Sequence, residues 1–326
     1  MVKFHDMTKA KLIEQLLPQL YDLMRECCAC GHRCGVDRTS NVKGFCGTKT
    51  QDLHHVVCSS HTLHFGEEPP LVGAGGSGTV FLAGCNLRCV FCQNYQISQQ
   101  GIGREIHYEE LARMFLDLQG QGAENINLVT PTHYIHPIME ALLEAYRQGL
   151  RIPLVYNTNG YESIELLGLI DGVVDIYLPD MKYMNEEHSR AYSRAEDYPS
   201  VAKLAIKEMY RQVGPLVVEN GAAKRGLIVR HLILPNDISG TYDFLLWMQD
   251  EGMQDATLSL MSQYSPQYRA CRYPELNARI DMDEYKRIVE YAIELGFENL
   301  LTQGLESSGI YLPDFRRETP FTPKKP

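Results

Sequence analysis

The chain has 326 residues, enough for one large domain or a domain with an appendage. Its 44% hydrophobic and 22% charged content is ordinary for a globular protein, and 31 basic against 41 acidic residues leave a net charge of −10. Without a long basic run that balance argues against a nucleic-acid partner. No apolar run reaches membrane-span length and "MVKFHDMTKAKLIEQLL" lacks a secretory core, so the cytoplasm is the expected compartment, with no membrane partner.

In chain order, residues 8–26 carry apolar side chains at helical spacing and predict a helix, kinked at Pro18. From Cys27 to Gly78 the chain is rich in Cys, His and Gly with little periodicity, and reads as a small metal-stapled lobe. Nine of the ten cysteines fall at or before position 92. In a large cytosolic chain such clustering points to metal or redox chemistry rather than a disulfide framework. Cys27, Cys30, Cys34 and Cys46 form C-x2-C-x3-C-x11-C, a set able to close a site around zinc or a second iron–sulfur cluster; ligand type does not separate the two, and buried free thiols are the plain alternative. Cys28 is a bystander. Cys58 with His54, His55, His61 and His64 is a weaker metal-site alternative; their spacing fits neither a helix face nor a strand face, so these histidines, like His133 and His136, are expected to lie mostly at the surface. "GAGGSG" (73–78) spells G-x-G-x-x-G, but it precedes a predicted strand, whereas a dinucleotide fingerprint follows one.

Beyond it, short apolar runs at 79–84, 125–130, 152–157, 173–178, 227–234 and 256–261 predict strands, with a short seventh at 299–303. Amphipathic stretches at 108–119, 136–149 and 283–297 predict helices between or after them. Six strand–helix units with right-handed crossovers predict an α/β fold, a partial TIM-type (βα)6 barrel with a small Cys-rich N-terminal metal-binding lobe. The expected divisions are 1–77 for the N-terminal helix and lobe, 78–310 for the barrel, and 311–326 for a loosely ordered tail. Chemistry gathers where barrel strands end, and polar residues cluster there: "GCNLRC", "TPTHY", "NTNG", "PDMK", "LPND" and "SQYSP".

The first of these loops continues as "GCNLRCVFC", placing Cys85, Cys89 and Cys92 at C-x3-C-x2-C. Four thiolates would saturate an iron–sulfur cube or a zinc ion; three leave one iron open to a non-protein ligand. This motif, with an aromatic residue before its last cysteine, resembles the signature of the radical S-adenosylmethionine (SAM) superfamily. The resemblance implies a [4Fe-4S] cluster on Cys85, Cys89 and Cys92 whose fourth ligand is SAM. It further implies reductive cleavage of SAM to a 5′-deoxyadenosyl radical, hydrogen abstraction from a substrate, a low-potential electron donor of the flavodoxin or ferredoxin type, and oxygen sensitivity. Phe91 would lie near the adenine. The wider text, including "CGVDRTSNVKGFCG", "GEEPPLVGAGGSGTVFLAGC", "VTPTHY", "YNTNGY" and "LPDMKY", resembles pyruvate formate-lyase activating enzyme-like (PflX-type) proteins over residues 27–310 or so.

Asp180 and Lys182 match the D-x-K element that contacts SAM in glycyl-radical-enzyme activating enzymes, and their opposite charges suit a zwitterion. Arg230, inside a strand, is expected to face an anion, either the SAM carboxylate or Asp180. Where many superfamily members carry Gly-Gly-Glu, this chain has "VTPTHY", so Thr130 and Thr132 become candidates for the SAM ammonium. Asn157 and Asn159 are candidates for its ribose or methionyl end, although a tight turn at Gly160 explains them too. The substrate is either a protein partner of the glycyl-radical-enzyme type or a small molecule. Methyl transfer to RNA with Cys271 as acceptor is disfavoured by the acidic charge. Outside SAM chemistry, the alternative is an iron–sulfur or zinc scaffold or electron-transfer protein.

Overall fold

In the computed structural model, which describes residues 2–40, 42–47, 49–303, 312–317 and 319–321, seven parallel strands form the body of one sheet. The strands in chain order are β1 (His55–His64), β2 (Ser77–Leu82), β3 (Arg104–His107), β4 (Ile126–Val129), β5 (Leu154–Thr158), β6 (Ile176–Pro179), β7 (Val217–Glu219), β8 (Ala222–Leu232), β9 (Thr257–Met261) and β10 (Leu300–Thr302). Their spatial order is β10-β9-β8-β6-β5-β4-β2-β1-β3, and every pair from β2 to β10 along this path is parallel. The path stays open, so the architecture is α/β with an incomplete barrel. All residues of β2, β5, β6 and β9 are buried. Strands covered on both faces read as continuous apolar runs, which is why these were visible in the sequence.

Two elements fall outside the expectation. β1 pairs antiparallel with β2, and β3 pairs antiparallel with β1. The region before residue 78 therefore contributes β1 to the same sheet, and β3 joins its edge from the stretch after the cysteine loop. The tail, expected to be loosely ordered, contributes Phe315 and Phe321 to a small apolar cluster with Phe81 and Ile97.

The first helix, Val2–Arg25, includes Pro18 and buries Ile13, Leu16, Leu20 and Met24 at three- and four-residue spacing, chiefly against the helix Ile135–Arg147. The glycine-rich entry at 73–78 is a close crossing, as a Cβ on Gly75 would stand 1.9 Å from the Gly122 carbonyl oxygen. Leu71, just before it, packs with Val155, Ile176, Leu178 and Ile228 from β5, β6 and β8. The "GEEPPL" segment thus plugs the sheet's concave side and brings Glu67 to Arg230. No described helix is long and apolar enough to cross a membrane.

Candidate functional site

The C-terminal ends of β2, β4, β5, β6 and β8 meet around a cavity of ≈ 130 Å³. Its lining includes Cys85, Cys89 and Cys92 together with Thr130, Asn157, Asn159, Asp180, Lys182 and Arg230, so nine of the residues singled out in the sequence converge.

The cysteine loop is held from several sides. Cys85 N–H donates to the Cys46 carbonyl at 3.1 Å, Arg88 N–H to the Ser193 carbonyl at 2.9 Å, and Val90 N–H to the Tyr192 carbonyl at 2.8 Å. Each sulfur also faces a polar hydrogen. Cys85 Sγ accepts from Leu87 N–H at 3.3 Å and from Asn159 Nδ2 at 3.4 Å. Ser193 Oγ donates to Cys89 Sγ at 3.0 Å, and Cys92 Sγ lies 3.2 Å from Ser98 Oγ. Ser193 is placed by the helix Glu186–Ser193, which Asn185 caps and which ends at Arg194 in the left-handed conformation. Burial and mutual repulsion push the Cys85 thiol up to about 12 and Cys92 to about 11, and burial raises Cys89 against the pull of Lys182. Thiols so placed ionise when a cationic centre binds them.

Among the described residues these sulfurs do not all gather within 4.8 Å of one another. A single tetrahedral zinc, with Zn–S of about 2.3 Å, would hold them about 3.8 Å apart. Three donor-facing thiols on one cavity, spaced wider than one ion requires, fit a cluster.

Beside them runs a partly buried charge set. Asp180 takes Lys182 Nζ at 2.6 Å on one oxygen and Arg230 Nε at 2.8 Å on the other. Arg230 also donates to Asn157 Oδ1 at 2.7 Å and lies 3.8 Å from Glu67. Burial would raise the Asp180 carboxyl, yet Arg230 and Lys182 hold it below its ordinary value; burial would lower Lys182, yet Asp180 keeps it raised. The expectation that Arg230 faces an anion is met by Asp180. Gly160, at φ +80°, lets the β5 loop pass this set, since a Cβ there would stand 2.5 Å from the Asp180 carbonyl oxygen. Thr130 adopts φ +57°, where a β-branched residue costs about 1–3 kcal/mol. Its strain sits on the cavity wall.

Two candidates lie elsewhere. Thr132 is buried in a short 3-10 turn with its hydroxyl on Glu162 at 2.7 Å, and it does not line the cavity. Phe91 packs edge-on against Tyr264 and Tyr183, with ring centroids at 5.7 and 6.5 Å, and is also absent from the lining. Sequence reading missed Ser98, Ser193 and Glu67. A single serine carries no periodic signal, and Glu67 was quoted only inside a longer stretch.

The N-terminal cysteines share a small enclosed space of ≈ 10 Å³ with Arg38, His32, Asn86 and His133. Arg38 donates through Nε to Cys27 Sγ at 3.1 Å and through Nη2 to Cys46 Sγ at 2.7 Å. Burial pushes the Cys30 thiol up to about 12, while Cys34 is exposed. The lobe is stitched to the rim by the Cys46–Cys85 bond and by His32 Nε2, 2.8 Å from the Asn86 carbonyl. Cys58 lies in β1, and Cys271 is exposed away from the cavity.

The family model described as the Radical SAM superfamily matches residues 79–215. An uncharacterized protein of Methanocaldococcus jannaschii is 31% identical over 300 residues, covering 86% of this chain and 80% of that one. Among solved structures, Streptococcus suis SuiB superposes with a TM-score of 0.47 at 12% identity, over 70% of this chain and 48% of SuiB. Native anSMEcpe with bound AdoMet gives 0.44 at 12% identity, over 71% of this chain and 60% of that one. The chain thus spans about half to three fifths of those two proteins.

Proposed function

The chain belongs to the radical SAM superfamily and is a radical SAM enzyme, and from that premise we propose that Cys85, Cys89 and Cys92 hold its [4Fe-4S] cluster with SAM beside it in the rim cavity. One observation carries the reading: three donor-facing sulfurs share a single cavity with the Asp180–Lys182–Arg230 charge set. When bound, the pair supplies one low-potential electron and a group that abstracts hydrogen. The chain's own residues do the rest. Ser193, Ser98, Asn159 and the Leu87 amide offset negative charge on the sulfurs. Lys182 and Arg230 present cations to a carboxylate, and Asp180 accepts from an ammonium or from ribose hydroxyls. Thr130 and Asn157 line the same wall, and Leu82, Leu87, Ile97 and Val129 restrict water.

The substrate in this reading is a protein partner from whose backbone hydrogen is taken, which the activating-enzyme-like (PflX-type) resemblance supports; a small molecule is the alternative. The enzyme works in the cytoplasm. Its reductant is an acidic flavodoxin- or ferredoxin-type protein. Arg88, Arg194, Arg269 and Arg272 line a polar cavity of ≈ 420 Å³ that includes Val90 of the cysteine loop, an unusual concentration of cations on a chain of charge −10. For Cys27, Cys30, Cys34 and Cys46 the reading is a structural site for zinc or a second cluster, with Arg38 bonded to two of the sulfurs.

Anaerobic reconstitution, followed by dithionite and SAM, tests the proposal. The wild type is expected to release 5′-deoxyadenosine and Cys89→Ala none, while metal analysis of Cys27→Ser against wild type reads which of zinc and iron the N-terminal set holds. Equal release from Cys89→Ala and wild type would overturn it.

A further inference from the structure

Four of the eleven histidines meet far along the chain from the cysteine loop, where the start of β1 and the end of β3 pack near the helix Ile135–Arg147. The His54 ring lies 5.9 Å from His136 and 6.3 Å from His107, and His55 lies 5.1 Å from His107, between ring centroids. The sequence reading expected His54, His55 and His136 mostly at the surface and made nothing of His107. The fold gathers three donors from two separate segments. His136 and Glu140 are one helical turn apart and so share a helix face, and His54 reaches them from the residue before β1.

The donor atoms of His54, His136 and Glu140 all lie within 4.8 Å of one another. His54 Nδ1 is 2.8 Å from both Glu140 carboxylate oxygens. His136 Nδ1 is 3.5 Å from Glu140 Oε2 and, though buried, has no hydrogen-bond partner. His136 as a residue is only 5% exposed. Glu140 faces both imidazoles, but its approach to His136 is long and not a well-formed hydrogen bond, so the buried His136 nitrogen is poorly satisfied, which is costly. A cation between the three groups satisfies all of them at once.

We propose that His54, His136 and Glu140 bind one divalent transition-metal ion of the zinc class. Two imidazoles and one carboxylate suit zinc, whereas calcium and magnesium take oxygen ligands. Three protein ligands leave a fourth position, and the half-exposed His54 side gives water access to it. Binding replaces the proton shared by His54 and Glu140. The ion clamps the connection between the cysteine lobe and β1 onto the helix that follows β4. The inference does not rest on SAM chemistry and stands or falls separately from it.

The test uses reconstituted full-length protein, stripped with chelator and titrated anaerobically with Zn2+, then with Co2+ as a spectroscopic substitute. Wild type is expected to take up one Zn2+ equivalent that both His54→Ala and Glu140→Gln lose, with iron content and circular dichroism unchanged. In Co2+ protein that equivalent shows ligand-field bands without sulfur-to-cobalt charge transfer. The exposed control His61→Ala retains it. The proposal is overturned if His54→Ala and Glu140→Gln take up as many equivalents as wild type, or if every bound cobalt carries the thiolate band.

Discussion

The chain holds two cysteine sets of similar spacing, and the fold treats them differently. Cys85, Cys89 and Cys92 open on a cavity whose other walls carry Asp180, Lys182, Arg230 and a strained Thr130. Cys27, Cys30, Cys34 and Cys46 surround a space less than a tenth as large, into which Arg38 reaches with two hydrogen bonds to sulfur. Thiol spacing is compatible with a metal centre in both places. What separates a centre able to receive a second molecule from a closed one is the remaining wall, and that wall comes from four other strands.

The comparison breaks most severely if the rim charge set proves dispensable. Arg230→Met leaves the partly buried Asp180 and Glu67 without their guanidinium, Asp180 keeping only Lys182, and is expected to cost about 3 kcal/mol or more in chemical denaturation. A loss below ~1 kcal/mol would show that the set is solvated rather than a preformed wall.

Next comes the joint between the two regions. Glu162 bonds Thr132 and Thr158 and is pushed up to about 7 from its usual 4.5, chiefly by burial. The folded state therefore holds a proton that the unfolded chain releases sooner. This destabilisation is absent below pH ~4.5, grows as pH rises through the window, and is complete above pH ~7. Glu162→Gln is expected to remove this pH dependence and to stabilise the protein by up to about 3 kcal/mol at pH 8. Parallel pH–stability curves for wild type and variant would contradict the assignment.

The smallest effect sharpens the view of the sulfurs. Ser193→Ala removes a donor to Cys89 worth about 1 kcal/mol, on the order of 40 mV for one electron. Donors to sulfur favour the more negative reduced state, so the variant's cluster should titrate at a lower potential. An unchanged or higher potential would mean the hydroxyl turns elsewhere in the loaded protein.

How far the sequence disclosed this molecule follows from where its signals arise. β2, β4, β5, β6, β8 and β9 were legible because strands largely buried on both faces carry short apolar runs, as in "LIV" of β8. β1, "HVVCSSHTLH", was not, since its intermediate burial allows His and Ser at most positions. Cys85, Cys89 and Cys92 stood out by local spacing, Asp180 and Lys182 by resemblance to a D-x-K element, and Arg230 by the cost of a lone cation in a strand. Phe91 was named by resemblance and Thr132 where the chain departs from the Gly-Gly-Glu pattern; both lie outside the cavity lining, with Thr132 bonded to Glu162 in a 3-10 turn and Phe91 packed among tyrosines. The His54–His136–Glu140 group was invisible because 82 residues of chain separate His54 from its nearest partner in sequence, and only packing brings them together.

The most direct test of the central difference is electron paramagnetic resonance of the reduced, reconstituted protein with and without SAM, in two variants. One carries serine at Cys27, Cys30, Cys34 and Cys46; the other carries alanine at Cys85, Cys89 and Cys92. The account predicts that SAM perturbs the cluster signal of the first and leaves any signal of the second unchanged. A SAM-dependent change in the second, with none in the first, would place the open centre in the N-terminal lobe and contradict it.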